Sequence, residues 1–215
     1  MSVQKSIQNL RREYKLNKLS EETVHKNPFI QFDRWFSQVI KMRLYEPNAM
    51  ILATSNKNCK PSARVVLLKG IRKDGFIFFT NYNSSKGKSL SENPVASLLF
   101  FWAELERQVR VEGKVKKISR SESQRYFDTR PLESRIAAWA SSQSEVISNR
   151  EHIERQFSEF KKKFKGKKIP VPPYWGGFVL VPDYFEFWQG RENRLHDRIC
   201  FKKVNARWKV FRISP

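Results

Sequence analysis

Hydrophobic residues recur with a helical period near the start of the chain. Asn27-Pro28 is a typical helix start, a capping residue followed by proline at the first helical position. The apolar residues that follow are three and four apart, which places them on one face: Phe32, Trp35, Phe36, Val39 and Ile40. This pattern predicts a helix that packs on a core. Residues 1–26, by contrast, are polar and basic, and we expect a mobile N-terminal arm with one helical stretch around Ile7–Tyr14.

From Ala49 the period changes to that of strands. Short runs rich in β-branched and aromatic residues predict strands at AMILATS, SARVVLLKGI, FIFFTN, VASLLFFWA and RQVRVEGKVKKIS, and again near the C-terminus at WGGFVLVP, FEFWQ, RICFKKV and RWKVFRI. The junction Lys73-Asp74-Gly75 predicts a hairpin turn in which Gly75 supplies a positive φ.

Helical segments lie between these two groups of strands. We expect helices from Ser84 to Asn93, from Ser119 to about Arg130-Pro131, from Leu132 to Ala140, and from Ser148 towards Phe164. Ser-x-x-Glu at Ser119 and at Ser148 is typical of a capping box. Strands, then helices, then strands with short connections favour an α+β barrel of mainly antiparallel strands over a parallel βαβ fold. We expect a single domain over residues 27–215.

Composition narrows the class of protein. Of the 215 residues, 40% are hydrophobic and 17 are Phe, which excludes wholesale disorder. No apolar run approaches the roughly 20 residues of a membrane span, and the N-terminus lacks the apolar stretch of a secretory signal. Cys59 and Cys200 form neither a disulfide framework nor a CxxC motif, which fits a reducing compartment. We therefore expect a cytoplasmic protein with no membrane partner.

The charge balance predicts an anionic ligand. Lys and Arg number 42 against 21 Asp and Glu, a formal net charge of +21 that attracts nucleic acid, acidic membranes or phosphorylated small molecules. The run Lys161–Lys168 favours a nucleic-acid-binding module. Against that alternative, the aromatic residues lie in core-like strands and no recognition motif is present. We interpret the run as a solvated helix end and expect no specific nucleic-acid partner.

Several catalytic motifs are missing from the sequence. It contains neither the GxxxxGK[ST] nor the GxGxxG phosphate loop, and neither a GxSxG elbow nor HExxH. Its three histidines lie far apart, so we expect no metal site. A hydrolase built on a triad or on zinc is excluded.

Cations lie instead within apolar strands, where they need an anionic partner. Arg64 and Lys69 flank the run VVLL, and the partner is either an internal carboxylate or an anionic ligand. Hydroxyls, free backbone N–H groups and a lysine come together where a strand leads into a helix, which predicts a phosphate cradle at Thr80, Ser84, Ser85 and Lys86.

Two further groups are candidates for ligand contacts. Gln108 lies within a predicted strand, where its side-chain amide forms hydrogen bonds either with a neighbouring backbone group or with the edge of a heteroaromatic ring. Tyr126, Arg130 and Ser134 are four residues apart and would bind a phosphate together, although Pro131 interrupts a continuous helix.

The segment FWQGRENRLHDR is the most informative. Trp188 offers a flat apolar wall, and Arg194, His196 and Arg198 alternate, so on a strand they would share one face. Such a face is either an exposed basic strand or a site for an anionic or electron-rich ligand, and the flanking tryptophan favours the site.

These segments together resemble the pyridoxine (pyridoxamine) 5′-phosphate oxidase family from about Tyr14 to Pro215. The motifs that carry the resemblance are RVVLLKG, FFTNYNSSKGKSL, LERQVRVEG, YFDTRPLESRIAAWAS, QS, PPYWGGF and FWQGRENRLHDR. The resemblance implies a split β-barrel with flanking helices that binds FMN at the interface of a homodimer. It also implies oxidation of pyridoxine and pyridoxamine 5′-phosphates to pyridoxal 5′-phosphate, with hydride transfer to flavin N5 and reoxidation by O2 to H2O2.

The resemblance assigns roles to individual residues. It implies FMN contacts from Arg64, Val65, Val66, Leu67, Leu68, Lys69, Phe79, Thr80, Lys86, Gln108, Gln143, Ser144, Trp188 and Arg198. It implies substrate contacts from Lys69, Tyr126, Arg130, Ser134, Arg194 and His196, the last two as catalytic residues against the pyridine ring. One position departs from the family pattern: Ser85 stands where an arginine is expected beside the FMN phosphate, and Lys86 and Lys88 are the cations that would compensate.

Split-barrel relatives include flavin reductases and haem-handling proteins, which is a third alternative. The residues assigned to the vitamer argue against it, because a relative without that site has no need of Tyr126, Arg130, Ser134, Arg194 and His196 together.

Overall fold

The structure is a computed structural model that describes residues 12–215. Its helices are α1 (Pro28–Lys41), α2 (Ser85–Glu92), α3 (Arg120–Thr129), α4 (Leu132–Ala140) and α5 (Arg150–Lys163). Its strands are β1 (Ala49–Ser55), β2 (Pro61–Leu67), β3 (Gly70–Arg72), β4 (Gly75–Asn81), β5 (Val95–Trp102), β6 (Arg107–Lys117), β7 (Trp175–Gln189), β8 (Asp197–Val204) and β9 (Arg207–Arg212). Short 3₁₀ turns span Ala103–Leu105 and Glu192–Arg194.

The strands form one sheet in the order β2-β1-β5-β6-β7-β4-β3, and β8 pairs with β7 and β9 with β8. The recorded registers of β1–β2, β3–β4, β4–β7, β7–β8 and β8–β9 are all antiparallel, as the sequence predicts. Among the described residues, no helix is long and apolar enough to cross a membrane.

The chain divides into two compact units. Unit 1 contains the described residues through Pro47, together with Leu99–Val111 and Tyr184–Pro215. Unit 2 contains Asn48–Leu98 and Glu112–Asp183. The single domain over residues 27–215 stays a prediction.

Unit 1 is built around α1. The Asn27 side chain accepts a hydrogen bond from the Phe29 N–H, which confirms the predicted helix start. Phe32 packs on Phe100 with ring centroids 4.9 Å apart, and Trp35 packs on Phe187 at 5.3 Å. The apolar face predicted for α1 included one residue that does not pack on this core, Ile40.

Ile40 is 53% exposed, so its placement on the packed face was wrong. It follows the buried Val39 by one residue, which turns it about 100° around the helix and away from the core.

The described segment before α1 packs against other residues of unit 1. Leu19 and Val24 are buried, and the Leu19 N–H donates to Asp197 Oδ2 at 3.0 Å. Residues 1–11, which include part of the predicted arm and most of its predicted helical stretch, lie outside the described residues.

In unit 2 the predicted strand SARVVLLKGI is two strands. The Leu68 N–H donates to Asn48 O, whereas the next N–H, that of Lys69, donates to Ile77 O of β4. The chain therefore leaves the β1 ladder and joins that of β4 at this point. Gly75 was predicted to have a positive φ and does not. It is needed for close approach instead, because a Cβ there would lie 2.1 Å from Leu180 O.

The helices of unit 2 begin and end close to the predicted positions. Ser119 and Glu122 form the predicted capping box of α3. The capping box at Ser148 was wrong: Asn149 caps α5, because its side chain accepts the His152 N–H at 2.9 Å. WGGFVLVP and FEFWQ, predicted as two strands, are one strand, β7. Helices α3 to α5 enclose a core of Phe127, Ile136, Ile169, Val171 and Trp175.

Candidate functional site

A cavity of about 380 Å³ lies within unit 2, where β2, β4, α2, α3 and α4 meet. Ten of the residues predicted as site residues line it: Val65, Val66, Leu67, Lys69, Phe79, Thr80, Lys86, Tyr126, Arg130 and Gln143. Five more were missed by sequence reasoning, namely Asn81, Ala137, Ala138, Ser141 and Trp175. The structure therefore brings together residues that are up to 110 positions apart in the sequence, from Val65 to Trp175.

The charged lining of this cavity is entirely cationic. Lys69, Lys86 and Arg130 line it, and none of the described lining residues is Asp or Glu. Burial lowers the pKa of Lys86, and the nearby charge of Arg64 lowers it further. A group of cations around one cavity with no carboxylate among them favours an anionic ligand.

Arg64, on β2, lies near the cation of Lys86 but is not among the residues that line the cavity. Its Nη1 donates to Leu52 O at 2.9 Å and to Thr54 Oγ1 at 2.8 Å, and its Nη2 donates to Ser62 Oγ. These partners are all neutral, and burial lowers the pKa of Arg64. The sequence left open either an internal carboxylate or an anionic ligand as the partner of Arg64. None of these three partners is a carboxylate.

Gln143 connects the start of α2 to the loop that follows α4. Its Oε1 accepts hydrogen bonds from Lys86 Nζ at 3.1 Å and from Thr80 Oγ1 at 3.2 Å. Ser84 caps α2 through its side chain, which accepts the Gly87 N–H, while Ser85 is exposed at the first position of the helix. The predicted cradle of hydroxyls and a lysine is therefore assembled at this helix start.

Arg130 lies at the end of α3, where Pro131 stops the helix. Its guanidinium carbon is 4.9 Å from the centre of the Trp175 ring. Its Nη1 is buried and has no hydrogen-bond partner among the residues that the structure describes. Burial lowers the pKa of Arg130. A buried donor without an acceptor is costly, and an anion in the cavity would supply the acceptor.

An aromatic stack forms one wall of the cavity. Phe79 stacks on Tyr126 with ring centroids 3.9 Å apart and on Trp175 at 5.4 Å. Burial raises the pKa of Tyr126, so its hydroxyl stays protonated and can donate. No spacing in the sequence could have revealed this stack, because its members come from β4, α3 and β7.

Besides Arg64, three residues predicted near this group do not line the cavity. Leu68 is buried behind β2, Ser134 is half-buried on α4, and Ser144 is exposed with a φ of 73°. Their assignment to ligand contacts stays a prediction. The same holds for Gln108, which is half-buried on β6 in unit 1.

A second cavity, of about 810 Å³, lies within unit 1. Trp188, Arg194 and His196 of the predicted site line it. Its other lining residues were not predicted: Arg12, Glu13, Tyr14, Arg191 and Asn193. Trp188 lies 4.7 Å from His196 between ring centroids, and Tyr14 packs edge-on against both rings.

His196 is held in a defined protonation form. Its Nδ1 accepts the Arg191 N–H at 3.1 Å, which leaves the proton of the neutral ring on Nε2. Burial lowers the pKa of His196, and the charges of Arg194 and Arg198 lower it further. His196 is therefore neutral at pH 7, with Nε2–H as a donor.

The predicted alternation of Arg194, His196 and Arg198 on one strand was wrong. Asn193 and Arg194 have φ of 54° and 61°, and β8 begins only at Asp197. The left-handed turn separates Arg194 from the strand that carries Arg198, so strand periodicity does not apply to it. Arg198 instead donates from Nε to Glu186 Oε1 at 2.7 Å.

Comparison with known proteins gives a consistent result. The family model described as pyridoxamine 5′-phosphate oxidase matches residues 36–164, and the model described as the pyridoxine 5′-phosphate oxidase C-terminal dimerisation region matches residues 175–215. A pyridoxine/pyridoxamine 5′-phosphate oxidase of Nostoc punctiforme is 55% identical over 99% of this chain and 100% of its own length. One from Paraburkholderia phymatum is 53% identical over 98% and 99%.

Two solved structures are also similar. PhzG from Burkholderia lata, in complex with tetrahydrophenazine-1-carboxylic acid, has a TM-score of 0.87 and 29% identity over 93% of this chain and 99% of that one. A pyridoxamine 5′-phosphate oxidase-related, FMN-binding protein from Nostoc punctiforme has a TM-score of 0.69 and 16% identity over 89% and 100%, a likeness of fold alone. These likenesses confirm the predicted fold class, an α+β split barrel of mainly antiparallel strands.

Proposed function

This chain belongs to the pyridoxine/pyridoxamine 5′-phosphate oxidase family of oxidoreductases, and we propose that it oxidises both phosphorylated vitamers to pyridoxal 5′-phosphate with FMN as cofactor. In the proposed reactions, pyridoxine 5′-phosphate and O2 give pyridoxal 5′-phosphate and H2O2. Pyridoxamine 5′-phosphate, O2 and water give the same two products and ammonia.

The observation that carries the proposal is the cationic cavity of unit 2. Its charged lining residues are Lys69, Lys86 and Arg130, and no described lining residue is acidic. Both FMN and the vitamers carry a phosphate, which supplies the negative charge that this lining lacks. Duplex nucleic acid does not fit into a cavity of about 380 Å³.

The described residues fit FMN. Lys86 and Arg64 offer cations, Ser84 and Ser85 stand at the start of α2, and Thr80 offers a hydroxyl, a donor set suited to a phosphate. We assign the flavin contacts to Arg64, Val65, Val66, Leu67, Leu68, Lys69, Phe79, Thr80, Lys86 and Gln143, and further ones to Gln108, Ser144, Trp188 and Arg198. When bound, FMN would accept a hydride from C4′ of the vitamer and return the electrons to O2.

We assign the vitamer phosphate to Lys69, Tyr126, Arg130 and Ser134. The buried Nη1 of Arg130 gains an acceptor in this arrangement, and the protonated Tyr126 hydroxyl donates a second hydrogen bond. Arg130 is anchored by its stacking on Trp175, so it would hold the phosphate in a fixed position relative to the cavity.

Arg194 and His196 are assigned to the pyridine ring of the substrate. Both line the cavity of unit 1, and His196 presents a neutral ring with Nε2–H as donor. They would orient the ring and stabilise charge that develops during the transfer. A group that already carries its proton at Nε2 has no free acceptor there, so we do not assign His196 the part of a general base.

We further propose that the active form is a homodimer with FMN at the subunit interface. The match of residues 175–215 to a dimerisation region supports a homodimer. In that arrangement each FMN contacts residues of both subunits.

PhzG provides a second candidate substrate class, since its solved structure is a complex with tetrahydrophenazine-1-carboxylic acid. This chain is 29% identical to PhzG but 55% identical to the Nostoc punctiforme oxidase. The greater identity favours the vitamers.

The proposal is tested by product and oxygen stoichiometry. The FMN-reconstituted protein is given pyridoxine 5′-phosphate or pyridoxamine 5′-phosphate, and pyridoxal 5′-phosphate, O2 and H2O2 are measured. We expect one O2 consumed and one H2O2 formed per aldehyde. Unphosphorylated pyridoxine serves as the control substrate and should turn over poorly. Failure to form aldehyde from either phosphorylated vitamer would refute the proposed function.

A further inference from the structure

Glu186 is a buried carboxylate that lies between two arginines of unit 1. It is only 1% exposed. Its Oε1 accepts the Arg198 Nε–H at 2.7 Å, and its Oε2 accepts from Arg110 Nη2 at 2.6 Å. Both oxygens are therefore engaged in short, charge-assisted hydrogen bonds. Neither the sequence motifs nor the site assignments above give Glu186 a role.

The ladder between β7 and β8 places Glu186 beside the predicted site. Trp188 pairs with Arg198 in the register, and Glu186 pairs with Cys200. Residues two apart on a strand share a face, so Glu186 and Trp188 lie on the same face as Arg198 and Cys200. Glu186 thus lies diagonally opposite Arg198 on the ladder. It is two residues along β7 from Trp188, which lines the cavity of unit 1.

The charges of the group do not cancel within it. One carboxylate and two guanidiniums leave one positive charge, and the Arg198 side chain is 26% exposed whereas that of Glu186 is 1% exposed. Burial raises the pKa of Glu186, but the hydrogen bonds from Arg198 and Arg110 outweigh it, so the pKa is lowered overall. Glu186 is accordingly ionised at neutral pH.

Arg198 has few other anchors. Its Nη1 donates to Ser214 O at 3.1 Å, in the segment that follows β9. Without the Glu186 carboxylate, Arg198 would lose the bond at Nε and face Arg110 across the vacated space, and two guanidiniums repel. The direction of the Arg198 guanidinium therefore depends on Glu186.

We propose that Glu186 is a positioning residue that fixes the guanidinium of Arg198 for contact with the phosphorylated flavin. The inference rests on the proposed function, because Arg198 is assigned there to FMN. Glu186 does not touch the reacting atoms. It acts by holding Arg198, and Arg110 shares the same carboxylate.

The test is a double-mutant cycle read out by FMN binding. The FMN-free full chain is titrated with FMN, and the quenching of flavin fluorescence gives Kd for wild type, Glu186→Gln, Arg198→Gln and the double variant. Loss of a charge-assisted hydrogen bond should weaken binding about tenfold in each single variant. The double variant should bind no more weakly than Arg198→Gln alone, because Glu186 acts only through Arg198.

Two further variants separate positioning from folding. Tyr184→Phe is the matched control, since it removes only the hydroxyl that donates to Cys200 Sγ on the same strands, and FMN binding should stay within about twofold of wild type. Glu186→Asp keeps the negative charge and should bind FMN more tightly than Glu186→Gln. If Glu186→Gln does not fold, Glu186→Asp takes its place in the cycle.

The outcomes distinguish the two proposals. If wild type binds FMN and Arg198→Gln weakens it, but Glu186→Gln binds as wild type does, the positioning role is wrong and the proposed function stands. The positioning role is also overturned if the losses of FMN affinity in the two single variants add in the double variant. It is overturned as well if Arg198→Gln binds FMN as tightly as wild type does. Wild type that does not bind FMN at all overturns the proposed function itself.

Discussion

The guanidinium of Arg130 lies 4.9 Å from the centre of the Trp175 ring, with Nη1 buried and unpartnered among the described residues. Stacking holds a cation at the wall of the unit 2 cavity and leaves one of its donors for a ligand. This pair therefore connects the fold to the proposed chemistry, because Arg130 directly follows the end of α3 and β7 begins at Trp175.

Arg130→Ala should raise KM for pyridoxine 5′-phosphate about 10- to 100-fold, the loss expected for hydrogen bonds to a charged group. FMN binding, measured by fluorescence quenching, should change little. Arg125→Ala, at an exposed position of the same helix, is the matched control. An unchanged KM in Arg130→Ala would remove Arg130 from the phosphate site.

Arg194→Ala should lower kcat about 100-fold while FMN stays bound. A misplaced substrate reacts more slowly, whereas the affinity for FMN does not depend on the position of the substrate. Steady-state turnover and flavin fluorescence provide the two readouts. Glu192→Gln, in the same turn and exposed, should keep the activity of wild type. Full turnover in Arg194→Ala would show that the role assigned to Arg194 is wrong.

His196 should keep its neutral form to a pH below its ordinary pKa of about 6.5, because burial and the charges of Arg194 and Arg198 lower the pKa. The unfolded chain takes up the proton first as pH falls. The contribution of His196 to stability is thus complete above about pH 6.5 and is lost as pH falls through the folded pKa. A ¹⁵N NMR titration of the imidazole should show a proton on Nε2 at pH 7.

His196→Gln should retain more activity than His196→Asn, because the Gln amide can place a donor near the position of Nε2. A proton on Nδ1 in the NMR spectrum, or greater activity in His196→Asn, would contradict the tautomer deduced from the Arg191 N–H.

Gly75→Ala should destabilise the fold by roughly 1–3 kcal/mol, since a Cβ at this position would lie 2.1 Å from Leu180 O and force the strands apart. Urea unfolding measures the change in the free energy of unfolding. Gly70→Ala is the control at the start of β3, where a Cβ would meet Ile77 Cδ1 at an ordinary 3.5 Å. Equal losses in the two variants would contradict the close approach at Gly75.

Much of the fold could be predicted from the sequence because its elements follow local patterns. The start of α1 at Asn27, the capping box at Ser119 and the break at Pro131 each depend on neighbouring residues alone. Local rules were wrong where two candidate capping residues are neighbours in the sequence, as with Ser148 and Asn149. They were also wrong for Arg194, whose left-handed backbone interrupts the alternation that strand periodicity assumes.

The site could be predicted only in part, because its geometry depends on contacts between distant segments. The stack of Phe79, Tyr126 and Trp175 joins three elements, and no spacing encodes it. Ten lining residues of the unit 2 cavity were predicted. Local patterns indicated five of them, namely Lys69, Thr80, Lys86, Tyr126 and Arg130, and motif resemblance alone indicated the other five. Glu186 had one local signal, a lone carboxylate in the apolar run FEFW, but its two arginine partners come from other strands.

The most direct test of the proposed function is the visible spectrum of the FMN-reconstituted protein, recorded without oxygen before and after addition of pyridoxine 5′-phosphate. We expect the flavin band to bleach on addition of this substrate and to return when oxygen is admitted. A bound flavin whose band does not change with either phosphorylated vitamer would contradict the proposed function and assign the cationic cavity to a different reaction.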